Sequence, residues 1–216
     1  HDVPVEQSLG AIAKLFKADL DPARVAAIII EPVQGEGGFY EAPADLMRGL
    51  RKLCDEHGIV MIADEVQTGF ARTGNLFAMD GYEVSADITT MAKGLAGGFP
   101  LAAVTGRADL MDAANPGGLG GTYGGSPMGV AAAHAVLDVI EEEDLCNRAQ
   151  ELGSRLKQRL EQIRQSTPQM VDVRGPGFMV AAEFNTADGS APDADFANRV
   201  RAEGLKRNLI LLTCGT

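Results

Sequence analysis

Ile59-Val60-Met61-Ile62-Ala63-Asp64-Glu65-Val66-Gln67-Thr68-Gly69 is the stretch on which the reading of the fold turns. Its first five residues form a short apolar run of the kind buried in a parallel sheet. The run leads straight into Asp64, so a carboxylate stands where the strand leaves the sheet. A second short strand, Asp87-Ile88-Thr89-Thr90-Met91-Ala92, delivers Lys93, followed at once by Gly94-Leu95-Ala96-Gly97-Gly98. In open α/β sheets ligands bind outside the carboxyl ends of the strands. An acid and an amine at two such ends mark a site for a group that needs both.

Outward from this centre, Val25 to Ile30 reads as another buried parallel strand, ending at Glu31-Pro32. The loop Gln34 to Phe39 carries Glu36 among glycines that permit close backbone approach. Pro43 suits a first helical position, and Leu46, Leu50, Leu53 and Cys54 form a stripe that stops at Gly58. Strand, helix, strand over 25–63 predicts a right-handed crossover between parallel neighbours. Before it, Leu9, Ile12, Ala13 and Phe16 share a helical face between about Val5 and Leu20, broken by Asp21-Pro22. After the site, an irregular loop fills 69–82 and a short strand runs Leu101 to Thr105. The glycine-rich run 115–126 leads into a helix from Pro127 through Ile140, with Ser126 as N-cap. Asp144 caps a further helix with its stripe at Leu145, Ala149, Leu152, Leu156, Leu160 and Ile163. The pattern changes there, dividing the chain into 1–144 and 145–216. In the second part, two strands lie in Met170 to Phe184 around Arg174-Gly175-Pro176-Gly177. A polar loop through Asp193, a helix over about 194–207 and a strand from Leu209 to Thr213 follow.

The chain has 216 residues, 45% hydrophobic and 23% charged, an ordinary globular composition. A net charge of −11 argues against nucleic acid or an anionic membrane surface as partner. No apolar run approaches the ~20 residues of a membrane span, and the opening His1-Asp2-Val3-Pro4-Val5-Glu6 lacks a secretory pattern. Cys54, Cys146 and Cys214 are odd in number and lack metal-ligand spacing, so a reducing, cytoplasmic setting is expected. His57 and His134 sit on helices with no partner spaced to share a metal, and His1 is terminal; no metal site is expected. Neither G-x-G-x-x-G nor G-x-x-x-x-G-K-[ST] occurs.

Four words stand in order: Ile30-Glu31-Pro32-Val33-Gln34-Gly35-Glu36-Gly37-Gly38; Ala63 through Gly74; Lys93 with Gly97-Gly98-Phe99-Pro100-Leu101; and Gly120-Gly121-Thr122-Tyr123. Together they resemble the class III pyridoxal-phosphate aminotransferases of fold type I, nearest to the 4-aminobutyrate, 5-aminovalerate and ornithine enzymes. The likeness covers essentially the whole chain. It implies an α/β fold: a mostly parallel sheet with flanking helices in a large cofactor-binding domain (1–144), then the start of a small α+β C-terminal domain (145–216).

The resemblance also implies roles. Pyridoxal phosphate is an electron sink that works only while its ring nitrogen keeps a proton, and Asp64 would face that nitrogen. Lys93 would hold the cofactor as a Schiff base and, once displaced, move a proton as general base. Val66 would pack on the ring and Gln67 would hydrogen-bond its hydroxyl. Thr122 would bind the phosphate of the neighbouring subunit, which implies a homodimer or a dimer of dimers. Glu36 would pair with an arginine that receives the α-carboxylate of 2-oxoglutarate, masking it while an ω-amino donor is bound. That arginine is expected beyond Thr216, and the main phosphate loop and stacking aromatic before His1, so 1–216 alone is expected not to transaminate. The expected reaction is 4-aminobutyrate with 2-oxoglutarate. A 5-aminovalerate or ornithine-type donor, an aminomutase or racemase on the same frame, and a non-catalytic dimerisation module are the alternatives. Glu36 speaks against the mutase, which exchanges no keto acid.

Overall fold

A computed structural model of the chain describes residues 3–214. His1-Asp2 and Gly215-Thr216 lie outside the described residues. Helix α1 (Val5–Ala18) places Leu9, Ile12 and Phe16 against the first core. The Asp21-Pro22 break becomes a 3-10 turn, Pro22–Arg24, whose Ala23 N–H is accepted by Asp21 Oδ1 at 3.0 Å. Strand β1 (Ala27–Ile30) follows, then helix α2 (Ala44–His57) and strand β2 (Val60–Asp64). Pro43 is the N-cap of α2 rather than its first helical residue, because its ψ of 139° is extended. Gly58 ends the helix with φ 67°, in the left-handed region where a Cβ is unfavourable.

The sheet order is β1-β2-β3-β4, with β3 at Ile88–Met91 and β4 at Ala103–Gly106. The pairs β1/β2 and β2/β3 are parallel and β3/β4 is antiparallel, so the sheet is mostly parallel as expected. Val25–Ile30 was expected to be a buried strand. Instead β1 is an edge among the described residues, and Ile29 is 60% exposed. Alternate residues of an edge strand with one covered face point to solvent. The first core joins Met47, Leu50 and Cys54 of α2 to Ile59 and Met61, all buried. Truncating a side chain such as Leu50 to Ala in packing of this kind costs about 2–5 kcal/mol.

A second core supports the end of β3. Met91, Leu95 and Ala96 pack on Ala133 of helix α4 (Pro127–Glu142), which follows the short α3 (Ala108–Met111). Ser126 is the N-cap of α4 and Pro127 its first residue, but the serine side chain makes no capping bond. Helix α5 (Leu145–Arg164) then lies against the hairpin β5 (Met170–Arg174) and β6 (Ala181–Phe184). The approach is close at Gly153, where a Cβ would meet Gly177 O at 1.7 Å. Helix α6 (Ala194–Lys206) is capped by Asp193 Oδ1, which accepts Phe196 N–H at 2.8 Å. The strand expected from Leu209 to Thr213 does not form. No neighbouring strand offers it hydrogen bonds among the described residues, and Leu212 is 89% exposed.

Candidate active site

Because β2 and β3 are parallel, their C-terminal ends share one edge of the sheet, and Asp64 lies opposite Thr90 in register. Asp64 Oδ1 accepts Val66 N–H at 3.1 Å and the Thr90 hydroxyl at 3.3 Å. The carboxylate is half-buried, and its orientation is fixed through that one oxygen. Its Oδ2 has no hydrogen-bond partner among the described residues, so it can accept a charged ring N–H.

Three residues past Thr90, Lys93 opens a 3-10 turn, Lys93–Ala96, with φ 45°. The left-handed region costs a non-glycine residue about 1–2 kcal/mol. The turn is compelled from below: Leu95 and Ala96 are drawn into the second core, and Gly97 (φ 60°) and Gly98 (φ 102°) reverse the chain above α4. The lysine side chain is exposed and forms no hydrogen bond or ion pair among the described residues. Strain held by surrounding packing is typical of functional positions.

Glu36 sits on a closed loop. Gln34 N–H donates to Tyr40 O and Phe39 N–H to Gln34 O, each at 2.9 Å. Glu31 Oε2 accepts Gly35 N–H at 2.9 Å, a structural use of that acid. Gln67 Nε2 donates to Glu36 Oε1 at 3.3 Å, joining this loop to the β2 end. The crossing is tight, since a Cβ on Gly35 would lie 2.2 Å from Gln67 Nε2. A side chain there would push the Gln67 amide away from Glu36.

Val66 does not continue strand β2. The strand ends at Asp64, and 66–70 are a turn closed by Gly69 N–H donating to Glu65 O at 3.0 Å. Val66 is half-buried in that turn, held to Asp64 through its own N–H. Thr122 is exposed on the loop before α4, and no hydrogen bond links it to the other candidates among the described residues.

The sequence reading passed over Glu65. It is fully buried and accepts the Thr68 hydroxyl, Ala78 N–H at 3.0 Å and Met79 N–H at 2.8 Å, pinning the loop that follows the site. Parity could have found it: Met61 and Ala63 are buried, and Glu65 continues that alternation while Asp64 takes the other face. Tyr82 ties the same loop to the Glu36 region, donating its hydroxyl to Ala42 O at 2.9 Å. Burial pushes that hydroxyl well above its ordinary value, so it stays a donor. A cavity of about 210 Å³ is lined by Phe77, Val84 and Thr105, not by Asp64 or Lys93. The candidate site is the open strand edge. Among the described residues no cluster of His, Cys, Asp and Glu could hold a metal ion.

The residues present fit pyridoxal phosphate: a primary amine free to attach to its aldehyde, a fixed carboxylate with one open oxygen for its ring nitrogen, and an amide beside them. Residues 4–216 match the family model "Aminotransferase class-III". The chain is 51% identical over its whole length to the 5-aminovalerate aminotransferase DavT of Pseudomonas putida, covering 51% of that protein. It is equally 51% identical over its whole length to the 4-aminobutyrate aminotransferase GabT of Escherichia coli, again covering 51% of that relative. Among solved structures, a transaminase from the marine bacterium Virgibacillus superposes with a TM-score of 0.91 at 29% identity, covering 99% of this chain and 50% of that one. An amine transaminase from an uncultivated Pseudomonas species, solved with PLP bound, gives 0.88 at 33% identity over 98% of this chain and 50% of that one. The chain thus spans about half the length of the curated relatives it matches. With a mostly parallel α/β sheet and a family match over nearly the whole chain, the chain belongs to the class-III aminotransferases.

Proposed function

We propose that the whole protein is an ω-amino acid transaminase that converts 4-aminobutyrate and 2-oxoglutarate to succinate semialdehyde and glutamate. The observation that carries this reading is the Gln67–Glu36 contact, which joins the Glu36 carboxylate to the end of β2 that carries Asp64. Two relatives at 51% identity, named for 4-aminobutyrate and for 5-aminovalerate, support a donor of this class.

The bound cofactor supplies the electron sink that lets a C–H bond next to nitrogen ionise. Lys93 Nζ would be the amine that holds the cofactor's aldehyde and, when free, could carry a proton at the reacting carbon as general base. The turn at 93–96 fixes the backbone from which the Lys93 side chain leaves the edge. Asp64 Oδ2 would face the ring nitrogen and favour its protonated form, while Val66 N–H and Thr90 hold the carboxylate's orientation. Gln67 has a second N–H beyond the one given to Glu36 and can serve the ring hydroxyl; Val66 flanks the ring. Glu36 would neutralise a carboxylate-binding arginine while a donor lacking an α-carboxylate reacts. Opposite charges paired there reject an α-amino acid as donor.

In this reading 1–144 belong to the cofactor-binding domain and 145–216 to the small domain. Thr122, exposed on its loop, would reach the phosphate of a second subunit in a homodimer or dimer of dimers. A cytoplasmic setting is part of the reading; no helix among the described residues is long and apolar enough to cross a membrane. The test is a donor panel on the whole protein: 4-aminobutyrate, 5-aminovalerate, ornithine and β-alanine, each with 2-oxoglutarate. The highest kcat/KM is expected for 4-aminobutyrate; a clear preference for 5-aminovalerate or ornithine would reassign the donor.

A further inference from the structure

Glu36 stands at the tip of a loop gripped on both flanks. On one side Glu31 holds Gly35 N–H. On the other, Arg174 reaches across from the end of β5 and donates its Nε–H to Gly38 O at 2.8 Å. Its Nη1 donates to Asp172 Oδ2 at 2.8 Å and Glu183 Oε2 at 2.5 Å. The guanidinium plane lies over the ring of Tyr40, with its carbon 3.7 Å from the ring centre. Tyr40 closes the circuit by donating its hydroxyl to the same Glu183 oxygen at 2.6 Å. Burial and the Glu183 carboxylate push the Tyr40 hydroxyl up to about 12, so it remains a donor at neutral pH. The loop fits this clamp closely: Gly38 has φ 107°, and a Cβ there would lie 3.0 Å from Tyr40 Cε2 and 3.2 Å from Arg174 Nη2. Arg174 is only 17% exposed, which makes its bonds costly to lose without replacement.

We propose that Arg174, with Tyr40 and Glu183, is a positioning unit that sets the place of Glu36 and so tunes the choice between donors with and without an α-carboxylate. This rests on the donor-selecting role of Glu36 given above. Arg174 touches no reacting atom. Its effect reaches the donor through the loop backbone, two residues from Glu36, and it couples that loop to the β5–β6 hairpin. Lysine cannot replace it, because a point charge lacks both the Nε–H directed at Gly38 and the plane that stacks on Tyr40.

The experiment compares wild type, Arg174→Lys, Glu36→Ser and the double variant in the whole cofactor-loaded protein. The kcat/KM ratio of 4-aminobutyrate to glutamate is measured in each donor half-reaction. Glu36→Ser is expected to lower the ratio about ten- to hundredfold, and Arg174→Lys about tenfold in the same direction. The double variant should fall no further than Glu36→Ser alone, because the clamp acts through the residue already removed. In Arg174→Lys without substrate, the amides of Gly38 and Phe39 should also exchange with deuterium about tenfold faster. A merely structural role would lower both donors alike and leave the ratio unmoved. If Glu36→Ser shifts the ratio and Arg174→Lys does not, or the loop amides exchange as in wild type, the positioning role is overturned. If Glu36→Ser itself leaves the ratio unchanged, the donor-selecting role of Glu36 falls, and this inference falls with it.

Discussion

At the start of β3 Asp87 is surrounded by donors, whereas past its end Lys93 and the neighbouring Asp64 are left open. Asp87 Oδ2 accepts Met61 N–H at 2.8 Å and Arg51 Nη1 at 2.9 Å, and Oδ1 accepts Arg107 Nη1 at 2.9 Å. It is buried, and each of its oxygens is matched. Burial by itself would raise its carboxyl, but the Met61 N–H and the two guanidinium groups outweigh burial and hold it below the ordinary carboxylate range. At the other end Asp64 uses one oxygen and Lys93 has no charged partner among the described residues. One four-residue strand thus joins an edge whose charges serve folding to an edge whose charges await a ligand. The direction is the one that parallel strands impose on ligand sites.

The comparison breaks most sharply at Lys93. Lys93→Ala should lower turnover of the whole protein by at least ~10²–10⁴-fold, the scale of a lost general base, while cofactor still binds noncovalently. Asp64→Asn keeps the Oδ1 acceptor and loses the charge, and should slow proton abstraction by about 10²-fold or more. Single-turnover absorbance changes report both. Rates like wild type in Asp64→Asn would show that the carboxylate serves another group. Neither variant should shift the melting temperature of cofactor-free protein appreciably.

Asp87→Ala should do the reverse. Arg51 keeps Asp55 and the exposed Arg107 keeps Asp109, so the main loss is the acceptor of the buried Met61 N–H. That loss should lower stability by about 1–3 kcal/mol in a urea titration, with cofactor-site chemistry retained in the folded fraction. Its pH dependence has a defined sign. A folded pKa below the unfolded value of about 3.9 adds stability that is fully present above 3.9 and lost as pH falls through the folded value. Asp87→Asn should therefore flatten the acid limb of the stability profile; an unchanged limb would remove Asp87 from that role.

The smallest expected effect sharpens the comparison from the other side. Lys93 holds φ 45°, so Lys93→Gly should stabilise the cofactor-free protein by about 1 kcal/mol while abolishing turnover. A loss of stability in that variant would mean that the lysine contributes to the fold.

What the sequence makes legible here follows from where each interaction lies along the chain. The strands at 59–63 and 87–92 are readable because an apolar run between turn formers is a local pattern, and the two strand-end charges are read with them. Cys54 on the buried face of α2 is readable for the same reason. The strand expected at 209–213 fails because pairing needs a neighbour that no local pattern reports. Glu65 goes unread because the chain turns immediately after Asp64, and its buried carboxylate gathers the Thr68 hydroxyl and two backbone N–H groups there. Arg174 has no local signal at all: its contact with Gly38 spans 136 residues.

The central claim is that the open edge at Asp64 and Lys93 is where the cofactor attaches. Borohydride reduction of the whole protein loaded with pyridoxal phosphate, followed by peptide mass mapping, tests it most directly. The account predicts one pyridoxyl-modified peptide, the one containing Lys93. Modification of any other lysine in its place would contradict the account.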